Sequence, residues 1–414
     1  MAAASLLTIL LLTLSITGSP VEVNNSPITL PIARRLSVLN GTINALEHDK
    51  ARVAAFRLKD YNLKHDSHSI PIANLGTVYY VAVGIGSPAT TYYLIVDTGT
   101  SNTWIGARTP YVPTSTSATT DEYVTVTYGA GSFSGMTYKD ITRIEYTDTF
   151  DFGNGLTIAQ QWIGVATETS GNFGEADGIL GLGPVDLTRG SLTEDPDILV
   201  PTVTDNLHRQ GTIHLEVVSI SFEPTTSTQS MVNGQLTFGG TVRNKHGPIT
   251  YTPRTTTTPA SKYWGIDQSI SYGSTTILSS TAGIVDVGTT FIHIATDAFD
   301  QYQSLTGGIL DAATGLLLIS STQYGALQNL NFNIGGATFS LTPNGQIWPR
   351  ILNTYIGGSS DAIYLVVNDL GTPSGKGFDF VNGYPFTERF YCIFDTSRSR
   401  VGFAPTSYTD ATTN

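Results

Sequence analysis

Two stretches of this chain end an apolar run in an aspartate, then place a glycine and a hydroxyl residue two and three positions later. They are Ile95-Val96-Asp97-Thr98-Gly99-Thr100 and Ile284-Val285-Asp286-Val287-Gly288-Thr289, with Asp97 and Asp286 189 residues apart. If the two turns face each other, their carboxylates come within hydrogen-bonding distance. Like charges that close cannot both ionise, so one keeps a proton and the pair titrates as a unit. A water between them can lose a proton to one carboxylate while the other polarises a carbonyl. A single Asp-x-Gly carries no information in a chain this long; two matching copies, each closing an apolar run, do.

Each turn needs an element to deliver it. Tyr93 to Val96 reads as a buried strand that carries Asp97 to the molecular centre. Gly99 allows close backbone approach, and the Thr100 hydroxyl is expected to hold one carboxylate oxygen. Asp286, Gly288 and Thr289 repeat the arrangement. From Tyr79 onward the pattern is β: Tyr79, Val81, Val83 and Ile85 alternate with Tyr80, Ala82 and Gly84, and Gly86-Ser87-Pro88 breaks the strand. Short alternating runs continue to the end. Helices are few; Thr296 to Leu305 is the clearest in the body. The repeat is too long for a solenoid and suits a duplicated domain with one site at the seam.

The 414 residues are enough for two cores. Only 13% of residues are charged, about half the usual share, so most of the polar surface does not titrate, which suits an acidic medium. A net charge of −12 and the lack of a basic stripe argue against nucleic acid and anionic membrane as partners. Cys392, the only cysteine, excludes an internal disulfide and reads as a strand residue facing a core. The seven histidines form no ligand motif, so neither metal nor cofactor is expected.

Leu6 to Ile16 is an apolar run too short for a membrane span and followed by small residues, which predicts an export signal over residues 1–18 and a secreted, extracellular protein. Residues 19–68 carry seven basic against five acidic side chains, whereas the rest of the chain carries 14 against 28. A weakly basic leader on an acidic body predicts a removable pro-segment, with a helix over Ala45 to Leu63. The remainder divides into 69–245, holding Asp97, and 246–414, holding Asp286, with the polar, Thr-rich stretch from Gly240 to Thr258 at the junction.

With these features in order, the chain resembles the pepsin-like aspartic proteases. Asp97-Thr98-Gly99-Thr100-Ser101-Asn102-Thr103-Trp104 is similar to the family's first catalytic signature, and Val126-Thr127-Tyr128-Gly129-Ala130-Gly131-Ser132 to its flap hairpin. Asp177-Gly178-Ile179-Leu180-Gly181-Leu182-Gly183 resembles the segment crossing behind the first aspartate, and Phe380-Val381-Asn382-Gly383 its counterpart. Phe390 to Ala404 resembles the terminal strands. The resemblance covers residues 75 to 408. Pro184 to Thr188, Ser221 to Thr226 and Ile347 to Arg350 narrow it to the acid proteases of basidiomycete fungi.

The resemblance implies an all-β, bilobal fold, two pseudo-symmetric β-barrel lobes with a cleft between them. It implies a secreted aspartic endopeptidase, acting at acid pH as a monomer on protein and peptide substrates, preferring apolar residues around the scissile bond and inhibited by pepstatin-type compounds. Asp97 and Asp286 would be catalytic, supported by Thr98, Gly99, Thr100, Val287, Gly288 and Thr289. Tyr128, Gly129 and Ala130 would close over substrate, with Trp104 orienting Tyr128. Ile95, Ile179 and Phe173 would line the pocket before the scissile bond and Ile284 the one across the pseudo-dyad. The pro-segment would be a partner in the precursor, with Lys59 or Lys64 on the dyad, both left open. Acid would free it by protonating carboxylates that its cations hold in a depressed range.

Three departures matter. Val287 stands where the family has Thr, so half of a crossed hydrogen-bond pattern between the turns is missing, and the second turn should be the weaker. Ala130 replaces a polar flap residue, and Asn382 stands where an apolar residue is usual. Val287 is the support for the alternative, a catalytically weak or inactive binding protein on the same fold. A two-carboxylate glycosidase is disfavoured: it wants wider carboxylate spacing and sugar-stacking aromatics, and four Trp are few.

Overall fold

The computed structural model describes residues 26–35, 45–58, 78–126, 141–166, 176–192, 195–229 and 231–413. Strands dominate them, and the all-β, bilobal architecture is the one expected. In the first half, Val78–Ile85 pairs antiparallel with Thr90–Asp97, Tyr80 opposite Ile95. The alternation read from Tyr79 to Ile85 is therefore a strand, and Gly86 turns it with a left-handed φ of 87° that favours glycine. Thr90–Asp97 then runs parallel to Gly178–Gly181, with Asp97 opposite Gly181. Ile141–Asp151 pairs back onto Val78–Ile85 and curls the sheet into a barrel.

The second half repeats the device. Thr275–Val285 pairs antiparallel with Gly265–Tyr272 and parallel with Phe380–Asn382, Val285 opposite Asn382. Asp97 ends, and Asp286 directly follows, a strand whose neighbour runs parallel to it, and that is possible only because a distant segment crosses behind each one. The first sheet continues through Ile28–Arg35, Met231–Phe238 and Val217–Phe222 to the terminal strands Phe390–Asp395 and Arg400–Pro405, so it joins chain from both halves. The Trp264 indole N–H donates to the Leu182 carbonyl at 2.9 Å and ties the halves together beside the site.

Two helices can be compared with their expectations. Thr296–Thr306 forms as read and stops at Gly307, whose φ of 69° caps it. Ala45–Leu58 is the helix read in the leader; the expected continuation to Leu63 lies outside the described residues. Cys392 is buried in Phe390–Asp395, and burial pushes its thiol well above its ordinary range, which makes it an inert core residue. Among the described residues no helix is long and apolar enough to cross a membrane.

Candidate active site

The two aspartate turns meet. Asp97 and Asp286 are both almost wholly buried, and one side chain touches both. Arg52 Nη2 donates to Asp97 Oδ1 at 2.6 Å and to Asp286 Oδ1 at 3.2 Å, while its Nε donates to Asp286 Oδ2 at 2.9 Å. The two glycines explain how the carboxylates come so near. A methyl group on Gly99 would lie 2.9 Å from Asp286 Oδ1, and one on Gly288 would lie 2.7 Å from Asp97 Oδ1. Each glycine is thus a space kept clear for the other turn's carboxylate.

Gly181 and Gly383 do the same for the crossing segments. A methyl on Gly181 would lie 2.5 Å from the Ser101 backbone, and one on Gly383 would lie 2.6 Å from the Thr289 carbonyl. Leu182 N–H donates to the Asp97 carbonyl at 2.8 Å, and Asp286 N–H donates to the Asn382 carbonyl at 3.1 Å. Asn382, out of place by the family's pattern, is paired: its Nδ2 donates to Gln268 Oε1 at 2.9 Å and its Oδ1 accepts from Gln268 Nε2 at 3.1 Å. Two buried amides satisfy each other directly behind Asp286. The sequence reading missed Gln268 because one alternating strand residue carries no signal of its partner.

The supports differ between the turns, in the direction opposite to that expected. Asp286 receives Gly288 N–H at 3.1 Å, the Thr289 hydroxyl at 2.5 Å and the Thr98 hydroxyl at 3.4 Å. Asp97 receives Gly99 N–H at 2.8 Å, but Thr100 Oγ1, expected to hold it, has no hydrogen-bond partner among the described residues. The crossed bond survives in one direction: Val287 N–H donates to Thr98 Oγ1 at 3.0 Å. Position 287 has no hydroxyl to return it. The loss at Val287 therefore leaves Asp286 the better-held carboxylate, because three groups other than Val287 hold it.

Burial first pushes the Asp97 carboxyl up; Arg52 pulls it down and Asp286 pushes it up again, and the net is above the ordinary 3.8. This corrects the expected depressed range. One guanidinium neutralises one carboxylate, and two buried carboxylates remain one charge short of balance, so the pair keeps a proton. For Arg52, burial disfavours the charge, but Asp286 and then Asp97 outweigh it and hold the guanidinium above its usual range.

Among the described residues it is Arg52 that reaches the dyad; Lys59 and Lys64, the residues expected there, lie outside them. The physical reason is the face of helix Ala45–Leu58. Ala45, Leu46, Asp49, Arg52, Val53 and Phe56 are buried along one side, the i, i+3, i+4 spacing of a helix stripe. Ala45 and Leu46 pack with Phe291, Trp348 and Leu352. Phe56 enters a cluster with Tyr263, Phe378 and Ile284, its ring 4.9 Å from that of Tyr263. Arg57 Nη1 donates to Thr372 Oγ1 at 2.6 Å. Asp49 and Arg52, two charges inside an otherwise apolar stripe, were the signal that the sequence reading passed over.

Of the other expected site residues, Ile284 shares the cluster that receives Phe56. Ile95 and Ile179 pack with Trp104, Val78 and Tyr80 in a separate cluster. Tyr128, Gly129, Ala130 and Phe173 lie outside the described residues, as does the predicted export signal.

Comparison with known proteins agrees with this geometry. A family model described as "Eukaryotic aspartyl protease" matches residues 78–406. Polyporopepsin of Irpex lacteus is 58% identical over 348 residues, covering 84% of this chain and 99% of that protein. Pepsin A of Sus scrofa is 26% identical over 355 residues, covering 81% and 83%. The crystal structure of an aspartic proteinase from Irpex lacteus superposes with a TM-score of 0.79 at 50% identity, covering 94% of this chain and all of that one.

Proposed function

The chain belongs to the eukaryotic aspartyl proteases and is an aspartic-type endopeptidase, a hydrolase, and from that premise we propose that Asp97 and Asp286 are its catalytic dyad. The observation that carries this reading is the single Arg52 guanidinium bonded to both carboxylates. A group small enough to touch both acids at once marks the place where a water would be activated. One carboxylate takes a proton from the water as the other, protonated, polarises the scissile carbonyl. The peptide bond is hydrolysed without a covalent intermediate.

Thr98, Gly99, Gly288 and Thr289 hold the acids in register; Thr100 and Val287 complete the turns without touching them. Tyr128, Gly129 and Ala130, with Trp104 behind them, are the proposed flap. Ile284, Ile95, Ile179 and Phe173 are the proposed pocket residues. The apolar preference is supported by Phe56, an aromatic side chain seated against Ile284 beside the dyad.

Residues 1–18 are proposed as an export signal and 19–68 as a pro-segment that blocks the cleft of a secreted, monomeric precursor until acid releases it. Residues 69–245 and 246–414 are the proposed lobes. The test is cleavage of casein at about pH 4, near the range of model carboxyls, by the acid-processed protein. Cleavage that pepstatin blocks, and that Asp97→Asn and Asp286→Asn each abolish, is expected. Undiminished cleavage in either variant would remove the dyad. The missing hydroxyl at Val287 favours one second reading, a weak or inactive binder, and cleavage by the parent protein sets it aside.

A further inference from the structure

Asp49 is fully buried and is the most completely bound carboxylate that the leader helix contributes. Its Oδ2 accepts from Phe291 N–H at 2.8 Å and faces His293 Nε2 at 3.3 Å, and its Oδ1 accepts from Thr290 N–H at 3.2 Å. All three donors belong to residues 290–293, which directly follow the Asp286 turn. They belong to the enzyme body and stay behind when the helix leaves. His293 Nδ1 and Thr290 Oγ1 are also buried and have no partner among the described residues, so the site has polar capacity that Asp49 does not use.

Two convergent backbone N–H groups and an imidazole form a receptor for a carboxylate. We propose that, in the processed enzyme, Thr290, Phe291 and His293 form a subsite that takes an acidic side chain of the substrate. This rests on the protease reading and names a substrate feature within it. Asp49 then stands for a substrate Asp or Glu.

The socket and the dyad are both met from one face of the same helix. Asp49 and Arg52 are three apart on a helix, so their β-carbons are about 5–6 Å apart. An extended peptide advances about 3.3 Å per residue, so a residue two places from the scissile bond is within reach of the socket. The dyad, holding one proton, carries a negative charge nearby and opposes an acid there. Thr290 N–H, Phe291 N–H and His293 Nε2 converge on the carboxylate and offset that repulsion. Tyr384, whose hydroxyl also senses Asp49, is kept neutral by burial and offers no countercharge.

The experiment uses the processed enzyme and peptides that differ only in carrying Asp, Asn or Leu two residues to either side of the cleaved bond. At about pH 5, where a peptide Asp is mostly ionised, Asp is expected to exceed Asn by about tenfold in kcat/KM on one side of the bond, mostly through KM. The advantage falls away by about pH 3, where that carboxyl is protonated. His293→Phe removes it, and His293→Gln, which keeps a donor, retains part of it. Equal cleavage of the Asp and Asn peptides at about pH 5 overturns the proposal, as does an advantage that persists in His293→Phe. The parent pH comparison stands even if that variant fails to fold. Pepstatin-sensitive cleavage of the Leu peptide reports on the protease reading separately.

Discussion

Arg52 offers the sharpest test of the proposal that the leader is a pro-segment holding a precursor. Its guanidinium makes three hydrogen bonds to two carboxylates, and all three side chains are almost completely buried. Arg52→Gln removes the cation and leaves the acids with no countercharge under a helix that still covers them. Breaking one partner out of a buried pair costs about 3–5 kcal/mol. At about 1.4 kcal/mol per tenfold, that lowers the docked-to-released ratio of the helix by about 10² to 10³·⁵. Arg52→Lys keeps the charge, but a single ammonium cannot reproduce the fork on Asp286, so it falls between.

The pH dependence follows from the same contacts. Asp97 lies above 3.8 even with Arg52 docked, and Arg52 is the influence that pulls it down. Without Arg52 the dyad therefore binds its proton more tightly still. Against a solvated carboxyl the docked Asp97 is raised, so through this group protonation favours docking and the contribution fades as pH rises; acid release has to come from other carboxylates. The assay is the initial rate of fluorogenic peptide cleavage by intact precursor across pH, with chain length checked on gels at each time point. The parent should be silent near neutrality and Arg52→Gln active there as an uncut chain. An Arg52→Gln precursor as silent as the parent near neutrality refutes the reasoning.

Three further outcomes are expected. Thr98→Val strips Val287 N–H and Asp286 of their partner and should cost about 1–3 kcal/mol, whereas Val287→Thr, which adds the missing hydroxyl, should gain about 0.5–1.5 kcal/mol; urea unfolding of the processed enzyme measures both, and equal, negligible effects would count against the crossed bond. Gly288→Ala drives a methyl into Asp97 Oδ1 and should lower kcat about 10²-fold through a displaced carboxylate, read by steady-state kinetics; parent-like kcat would show that the turns have room to spare. Asn382→Leu leaves the Gln268 amide buried and unpaired at a cost of about 1–3 kcal/mol, and adding Gln268→Leu should recover much of it, so an additive double-mutant cycle would deny the pairing.

The sequence carried the dyad because its signal is local and doubled. Asp97 and Asp286 each follow an apolar strand and precede a glycine, and the strand period and the glycine positions survive into the fold unchanged. The crossing strands Gly178–Gly181 and Phe380–Asn382 were legible for the same reason, as short apolar runs closed by glycine. What was not legible depends on groups brought together from afar. Gln268 and Asn382 are 114 residues apart and meet only through a shared sheet. Thr100 and Thr289 occupy equal places in equal turns, yet only Thr289 reaches its aspartate. The resemblance offered the leader's lysines, whereas the contact with both acids that is seen comes from Arg52, placed there by the burial of one helical face.

That helix also gives the asymmetry of the dyad a physical sense. The better-bound carboxylate, Asp286, takes two of the three Arg52 bonds together with a backbone N–H and two hydroxyls. Asp97 has one bond from Arg52 and one from Gly99, and it is the acid that burial pushes up. Hydrogen bonds to the charged form favour ionisation, and burial without enough of them disfavours it. The Asp97 carboxyl, which burial raises, is therefore the one favoured to carry the shared proton. When Arg52 leaves, Asp286 loses two hydrogen bonds and Asp97 one. The missing hydroxyl at Val287 does not weaken this division of roles, since neither carboxylate leaned on it. On the proposed reading, the geometry that would silence the precursor and the geometry that would polarise a substrate carbonyl are the same unequal pair, read with a cation or with a water between its acids.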